Sequence, residues 1–217
     1  MDGPVTVLDH IAAAGVLPVV VLDDPAAAGP LGAALRAGGL PCVEVTFRTT
    51  AAEQAIAVLA ADADILVGGG TIVEPEQVDR AVDAGARFVV SPGFDRRVVD
   101  RCQALGVPVV PGVATATEVM AAMSAGLDVL KLFPVGALGG LAMVRALAAP
   151  FPRVRFLPTG GIGEQDVASY LGHPAVLAVG GSWVADRGLV REGRFDEIER
   201  RARTATGLVG AARRVAA

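Results

Sequence analysis

One lysine stands apart from the other basic residues of this chain. Lys131 is the only lysine among 217 residues, and the other 18 of the 19 basic residues are arginines. It lies within the apolar segment 127–134, and flanking Gly126 and Gly136 help to mark that segment as a buried strand. A desolvated lysine, unlike arginine, can become a neutral amine that attacks a carbonyl carbon to form a Schiff base. The alternative is a structural lysine whose stem packs on apolar atoms while its amine reaches water.

A carboxylate is expected beside this amine. Alternation of side chains puts four residues of the second predicted strand on one face: Cys42, Glu44, Thr46 and Arg48. The same alternation groups three residues of the sixth predicted strand: Val129, Lys131 and Phe133. Glu44 and Lys131 are therefore predicted to meet in the interior, where a carboxylate could move protons for a reactive amine. A buried ion pair that serves only structural specificity is the alternative.

Two glycine-rich turns follow the last two predicted strands, 154–157 and 176–179. Their residues are Pro158, Thr159, Gly160 and Gly161 in the first turn, and Gly180, Gly181 and Ser182 in the second. Glycine lets backbone N–H groups approach an anion, and Ser182 adds a hydroxyl donor, so the turns predict a phosphate site. The alternative is that these glycines only make tight turns. Arg48 and Thr71 could hold a carboxylate, although Arg48 could also pair with Glu44 or remain a rim charge.

The elements that carry these residues alternate regularly. A short helix over 6–14 precedes eight strand–helix units, with strands predicted at 16–22, 42–47, 65–67, 87–90, 107–110, 127–133, 154–157 and 176–179. Such alternation predicts a parallel sheet, and eight units predict an α/β fold of the closed (β/α)₈ TIM barrel type. One domain is expected to span residues 1–217. A doubly wound open sheet is less favoured, because glycine-rich turns follow many strands rather than one switch point.

Composition argues against several classes of function. The formal net charge is −4 and no basic block is present, so a nucleic-acid partner is not expected. The longest apolar run, residues 11–22, is interrupted by Gly15 and Pro18 and is too short for a membrane span. No signal sequence opens the chain, so a cytoplasmic location without a membrane partner is expected.

The remaining reactive side chains form no recognisable motif. Cys42 and Cys102 lack motif spacing and are predicted to be buried, reduced thiols. His10 and His173 lie far apart in the sequence, so no metal site is expected. A group of arginines near the end of the chain has acidic neighbours and is predicted to form a solvated helix face: Arg200, Arg201 and Arg203.

Six motifs are spread across almost the whole chain: Val43-Glu44-Val45-Thr46-Phe47-Arg48-Thr49, Gly68–Thr71, Ser91-Pro92-Gly93, Lys131-Leu132-Phe133-Pro134, Pro158-Thr159-Gly160-Gly161-Ile162 and Gly180-Gly181-Ser182-Trp183. In type and in order they resemble the motifs of the 2-keto-3-deoxy-6-phosphogluconate (KDPG) aldolase family. Phe47, Gly69 and Leu132 stand where the family often has leucine, alanine and phenylalanine, which are conservative departures. The resemblance implies a class I, metal-independent lyase that needs no cofactor and forms a homotrimer.

The resemblance also implies roles for single residues. Lys131 corresponds to the Schiff-base lysine and Glu44 to the general acid/base. Arg48 and Thr71 correspond to contacts with the substrate carboxylate, and Pro92 and Phe133 to the apolar wall. Substrate and phosphate contacts are expected from Thr159, Gly160, Gly161, Gly180, Gly181 and Ser182. The implied reaction cleaves KDPG, a phosphorylated keto-acid, to pyruvate and glyceraldehyde 3-phosphate.

Other activities fit the same residues. Aldolases that cleave 4-hydroxy-2-oxoglutarate or the phosphogalactonate epimer of KDPG would use the same lysine and carboxylate. A metal-dependent pyruvate aldolase is a further alternative. A barrel that binds a phosphosugar without turning it over belongs to a different class, and the inward-facing amine and carboxylate argue against it.

Overall fold

The computed structural model of the chain describes residues 6–216, with side chains described up to residue 214. In this range the strands are β1 (Val16–Val20), β2 (Cys42–Thr46), β3 (Leu66–Gly70), β4 (Val89–Val90), β5 (Val109–Val110), β6 (Gly112–Val113), β7 (Val129–Leu132), β8 (Arg155–Pro158) and β9 (Val179–Gly181). All the strand pairs are parallel.

Helices follow the strands along the chain. The α-helices are α1 (Val7–Ala14), α2 (Ala28–Ala37), α3 (Ala52–Ala60), α4 (Pro75–Asp83), α5 (Arg96–Ala104), α6 (Ala116–Ser124), α7 (Leu141–Ala148), α8 (Val167–Leu171), α9 (Arg187–Arg191) and α10 (Phe195–Ala216). Short 3₁₀ segments at Pro25–Ala27 and Glu164–Asp166 lead into α2 and α8. In the described part of the chain, no helix is both long enough and apolar enough to cross a membrane.

The strands close into a barrel. The pairing order β5-β4-β3-β2-β1-β9 forms one run, and β6-β7-β8 forms the other. Pro111 separates β5 from β6, so these two segments are one barrel strand interrupted at a proline. Isolated bridges from Phe156 to Val176 and from Thr159 to Gly180 join β8 to β9. The (β/α)₈ barrel prediction is confirmed, and the open-sheet alternative is wrong.

Alternation along the strands separates the interior of the barrel from the layer beneath the helices. In β2, Val43 and Val45 are fully buried and alternate with Glu44 and Thr46. Inside the barrel, a Cβ on Gly68 would lie 2.3 Å from the ring of Phe88, so a glycine here makes room for a bulky aromatic side chain. Burying a large apolar side chain contributes roughly 1.5–3 kcal/mol, so this interior packing stabilises the frame on which the site is built.

Several element boundaries differ from the sequence-based predictions. The last strand, predicted at 176–179, is observed at Val179–Gly181, where it pairs with Val16–Pro18 of β1. Helix α7 begins at Leu141 rather than at residue 138, because Gly139 and Gly140 adopt positive φ values and form a turn. Helix α9 was not predicted. By contrast, the predicted capping box at Thr115 and Glu118 is confirmed.

Candidate active site

A cavity of about 410 Å³ opens among the carboxyl ends of several barrel strands. It is lined by Val19, Glu44, Thr46, Arg48, Thr71, Pro92, Lys131, Phe133, Thr159, Gly160, Gly161, Ile162, Gly180 and Ser182. Parallel strands bring their carboxyl ends to one face of the barrel, which is where barrel enzymes place their chemistry. The fold therefore gathers nearly all of the residues singled out from the sequence around one cavity.

Lys131 and Glu44 face each other in this cavity. The Nζ atom of Lys131 lies 3.4 Å from Oε1 of Glu44. The side chains are 5% and 0% exposed, respectively. Lys131 is held in β7, where its backbone N–H donates to the carbonyl oxygen of Pro111 at 2.9 Å. The rigid strand backbone thus fixes an amine beside a carboxylate in surroundings that exclude most water.

A glycine in β3 makes room for the carboxylate. A Cβ on Gly70 would lie 2.3 Å from Oε1 and 2.4 Å from Cγ of Glu44. Real Cβ contacts do not occur at such distances, so Glu44 can occupy this position only because residue 70 lacks a side chain. Gly112 has a similar relation to Pro92, whose carbonyl oxygen would lie 2.1 Å from an added Cβ. Gly70 had been noted from the sequence only as part of a motif, and Gly112 had not been singled out.

The carboxylate retains capacity to accept a hydrogen bond. Oε2 of Glu44 is buried and has no hydrogen-bond partner among the residues described. Thr46, on the same face of β2, donates its hydroxyl to the carbonyl oxygen of Val20 at 2.9 Å and also lines the cavity. A substrate hydroxyl or a water molecule in the cavity could therefore donate a hydrogen bond to Oε2 of Glu44 while Oε1 faces Lys131.

An aromatic ring forms part of the wall beside the amine. The ring centroid of Phe133 lies 5.3 Å from Nζ of Lys131, within the range of a cation–π contact. Pro92 is also among the apolar residues of the lining. An aromatic face and a proline ring therefore form an apolar part of a lining that is otherwise rich in polar side chains.

Arg48 and Thr71 lie on another part of the lining. Among the described residues, Arg48 is exposed and makes no ion pair, so the alternative that it pairs with Glu44 is wrong. Thr71 has a φ of 58°, and it is the one residue other than glycine with positive φ in the range 6–216. A β-branched residue is strained in this region, and such strain clusters at functional sites. The position of Thr71 follows directly on the glycines of β3.

The two glycine-rich turns lie side by side where β8 meets β9, at the Thr159–Gly180 bridge. A Cβ on Gly180 would lie 2.2 Å from Oγ1 of Thr159, so the missing side chain allows the turns to approach each other. Gly160 and Gly161 adopt φ values of 91° and 81°, which only glycine reaches without strain. Gly181 was predicted as a contact but is not among the lining residues, and an added Cβ there would meet the indole of Trp183.

Three lining residues were not assigned a role from the sequence: Val19, Thr46 and Ile162. Thr46 had been placed on the inward face by strand alternation. Val19 is the register partner of Glu44, but β1 is apolar throughout, so alternation alone does not show which of its residues face inward. Ile162 lies just beyond a glycine-rich turn, where alternation gives no information.

A sequence model of KDPG and KHG aldolases matches residues 7–201. The chain belongs to this family. It is 45% identical over 207 residues to the 2-dehydro-3-deoxy-phosphogluconate aldolase of Treponema pallidum, covering 95% of this chain and 99% of that protein. It is 39% identical over 202 residues to the KHG/KDPG aldolase of Escherichia coli K12, covering 92% and 95% of the two chains.

Solved structures agree with this assignment. The KDPG aldolase of Legionella pneumophila, with pyruvate captured as a covalent carbinolamine, superposes with a TM-score of 0.89 at 37% identity, covering 92% of this chain and 98% of that one. The KDPG aldolase of Zymomonas mobilis with 3-phosphoglycerate gives a TM-score of 0.88 at 38% identity, covering 92% and 94%. The family predicted from the six motifs is therefore confirmed.

Proposed function

We propose that this chain is a class I aldolase that cleaves KDPG to pyruvate and glyceraldehyde 3-phosphate through a Schiff base on Lys131. The observation that carries the proposal is the buried contact of 3.4 Å between Nζ of Lys131 and Oε1 of Glu44. The names of the family relatives support the substrate, and the carbinolamine in the Legionella pneumophila enzyme supports the covalent chemistry. The expected absence of a cofactor is part of the proposal.

The first stage joins the enzyme to the substrate. The neutral amine of Lys131 attacks the C2 carbonyl carbon of the keto-acid, and Glu44 transfers a proton to the carbonyl oxygen to give a carbinolamine. The carboxylate of Glu44 then takes the extra proton from the attacking nitrogen and passes it to the C2 hydroxyl, which leaves as water to give a protonated Schiff base. The positive nitrogen then withdraws electrons from the neighbouring carbon atoms.

The second stage breaks the carbon–carbon bond. The carboxylate of Glu44 removes the proton from the C4 hydroxyl, the C3–C4 bond breaks, and its electron pair moves into an enamine between C2 and C3. Glyceraldehyde 3-phosphate leaves with C4 as its aldehyde carbon. Protonation of C3 and addition of water at C2 then release pyruvate and restore the amine of Lys131.

The two ends of the substrate would be held by different parts of the lining. We assign the carboxylate to Arg48, whose guanidinium matches it bidentately, and to Thr71. The phosphate is assigned to the two glycine-rich turns, through Thr159, Gly160, Gly161, Gly180, Gly181 and Ser182. The apolar wall of Pro92 and Phe133 would lie against the pyruvate portion between these ends.

Two related substrates are the alternatives on the same scaffold. The Escherichia coli relative is a KHG/KDPG aldolase, and KHG is 4-hydroxy-2-oxoglutarate, which supports this compound as a second substrate. A structure described as KDPGal, the abbreviation for the phosphogalactonate epimer of KDPG, also superposes with a TM-score of 0.83 at 26% identity, covering 92% of this chain and 96% of that one. Both would use Lys131 and Glu44 in the same way, so the preferred substrate depends on the ends of the cavity.

A coupled assay for pyruvate, run with KDPG, its galactonate epimer and 4-hydroxy-2-oxoglutarate, tests this proposal. We expect KDPG to give the highest kcat/KM, and treatment with EDTA to leave the rates unchanged. Loss of activity in EDTA with recovery on adding a divalent metal would favour the metal-dependent alternative. Binding of KDPG without any turnover would favour the non-catalytic barrel.

The remaining expectations concern the whole protein. We propose a single catalytic domain, a cytoplasmic location and a homotrimer. Large apolar side chains are exposed on the subunit, including Val58, Val73 and Met120, and burial of such groups between subunits would favour association. Light scattering after gel filtration should give a mass three times the 21.9 kDa of the chain. A mass equal to one chain would contradict the trimer.

A further inference from the structure

The turn between Ser182 and Asp186 is tied to the last helix of the chain by one guanidinium. Arg201 of α10 donates from Nη1 to the carbonyl oxygen of Trp183 at 2.6 Å, and the same atom contacts Oδ2 of Asp186 at 3.0 Å. Its Nε donates to Oε1 of Glu197 at 2.9 Å, which orients the side chain from within α10. These contacts begin at the residue that directly follows Ser182.

Arg201 differs in this respect from the neighbouring arginines. The sequence predicts that Arg200, Arg201 and Arg203 share a solvated face, and this is wrong for Arg201. Its side chain is 27% exposed, compared with 65% for Arg200 and 67% for Arg203. Among the described residues, Arg203 pairs only with Glu199 on its own helix. Arg201 alone of the three contacts the turn.

Asp186 extends the contact into the next element. Its Oδ1 accepts hydrogen bonds from the backbone N–H groups of Gly188 and Leu189 at 2.9 and 3.1 Å, which caps the start of α9. Its Oδ2 meets Arg201. One side chain therefore holds both a carbonyl group at the start of the turn and the capping carboxylate at its end.

A second ion pair lies nearby. Arg187 donates from Nε and Nη2 to the two carboxylate oxygens of Asp23, at 2.8 and 2.5 Å, and so joins the loop after β1 to α9. The side chains of Arg187 and Asp23 are 52% and 34% exposed, and solvated ion pairs of this kind contribute little to stability. Arg201 is less exposed than Arg187, so its contacts are expected to stabilise the turn more than the Arg187–Asp23 pair does.

We propose that Arg201 is a positioning residue for the phosphate-binding turn and acts on the substrate through Trp183 and Asp186. This inference rests on the proposed function, which assigns the phosphate to the turns ending at Gly161 and Ser182. Backbone and hydroxyl donors bind an anion tightly only when they are held in place before binding. Arg201 supplies that constraint without reaching the cavity lining itself.

Replacement of Arg201 by glutamine tests the inference. The change removes the charge and the two-pronged geometry of the guanidinium. We expect KM for KDPG to rise about tenfold, as loss of a charge-assisted hydrogen bond implies, while kcat stays within about twofold. For the non-phosphorylated analogue 2-keto-3-deoxygluconate, kcat/KM should not change. The matched control Arg203→Gln should leave both substrates unaffected.

A binding measurement separates this inference from the catalytic proposal. Calorimetric titration with inorganic phosphate should give a Kd about tenfold higher for Arg201→Gln than for the wild type or for Arg203→Gln. Trp183 is the only tryptophan in the chain, so its emission should also shift in Arg201→Gln and not in Arg203→Gln. Arg201→Lys keeps the positive charge but loses the planar guanidinium with its several donors, so its Kd for phosphate should lie between those of the wild type and Arg201→Gln.

Several outcomes would overturn the inference. One is an equal rise in KM for the phosphorylated and non-phosphorylated substrates, and another is a phosphate Kd in Arg201→Gln that matches Arg203→Gln. Failure of the wild type to cleave any substrate would remove the proposed reaction, while the phosphate titration would still decide the role of Arg201. If Arg201→Gln does not fold, Asp186→Asn, which keeps an oxygen for the α9 cap, should reproduce the weaker phosphate binding.

Discussion

At the scale of single residues, the proposed chemistry depends on an amine and a carboxylate that lie 87 positions apart in sequence and 3.4 Å apart in space. Strand alternation predicted that Lys131 and Glu44 would face inward, because both strands are short, apolar and bounded by turns. The distance between them could not be predicted, because it depends on how the strands are staggered around the barrel. The free acceptor on Glu44 likewise emerged only from the three-dimensional arrangement.

Replacement of Glu44 by glutamine should slow cleavage. Glutamine has nearly the same shape but cannot carry a proton between substrate and water, so we expect kcat to fall by about 10²–10⁴-fold. The pyruvate-coupled assay measures this directly. The control is Glu53→Gln, which changes a half-buried glutamate paired with Arg80 outside the cavity lining and should leave kcat unchanged. A loss of less than tenfold in Glu44→Gln would argue against its role in proton transfer.

At the scale of elements, β3 contributes space rather than chemistry. Its inward positions, Gly68 and Gly70, leave room for Phe88 and Glu44. The sequence shows a run of three glycines, but it does not show which large side chain fills each gap. That pairing is set by contacts between neighbouring strands of the barrel, whereas local propensity describes each strand alone.

A methyl group at position 70 should therefore disturb catalysis. Gly70→Ala would place Cβ against the carboxylate of Glu44 and push it away from Lys131, so we expect kcat to fall at least tenfold. The control Gly207→Ala adds the same methyl group at a position in α10 where nothing lies within 4 Å. Kinetics and thermal unfolding should be measured for both variants. Normal turnover in Gly70→Ala would show that Glu44 does not depend on this gap.

Other elements show where sequence reasoning fails. Helix α9 has five residues, too few to establish an apolar period, although Asp186 at its N-cap is a recognisable signal. The last strand begins three residues later than predicted, because its extent is set by pairing with β1 rather than by its own apolar run. Arg201 could not be separated from Arg200 and Arg203, since its partners come from a distant turn.

At the scale of the whole molecule, the closed barrel protects its interior from solvent. Cys42 in β2 is 2% exposed and Cys102 in α5 is fully buried. Burial raises the pKa of each thiol to about 12, so very little thiolate is present near neutral pH. The reactive form of cysteine is the thiolate, so both residues are protected chemically as well as sterically.

These thiols should report on opening of the fold. We expect no reaction with a disulfide reagent within minutes at pH 8 in the native protein, and two equivalents of reaction in guanidinium chloride. At intermediate denaturant concentrations, the reaction rate should follow the population of opened molecules. Rapid native labelling of either cysteine would contradict a closed, tightly packed barrel.

Borohydride trapping is the measurement that tests the central claim most directly. The protein is incubated with pyruvate and reduced, and the intact mass and a peptide map are recorded. We predict a single reduced pyruvyl adduct on Lys131, with no adduct in Lys131→Arg, because a guanidinium does not act as a neutral amine nucleophile. Absence of an adduct from folded protein that binds pyruvate would contradict the Schiff-base mechanism.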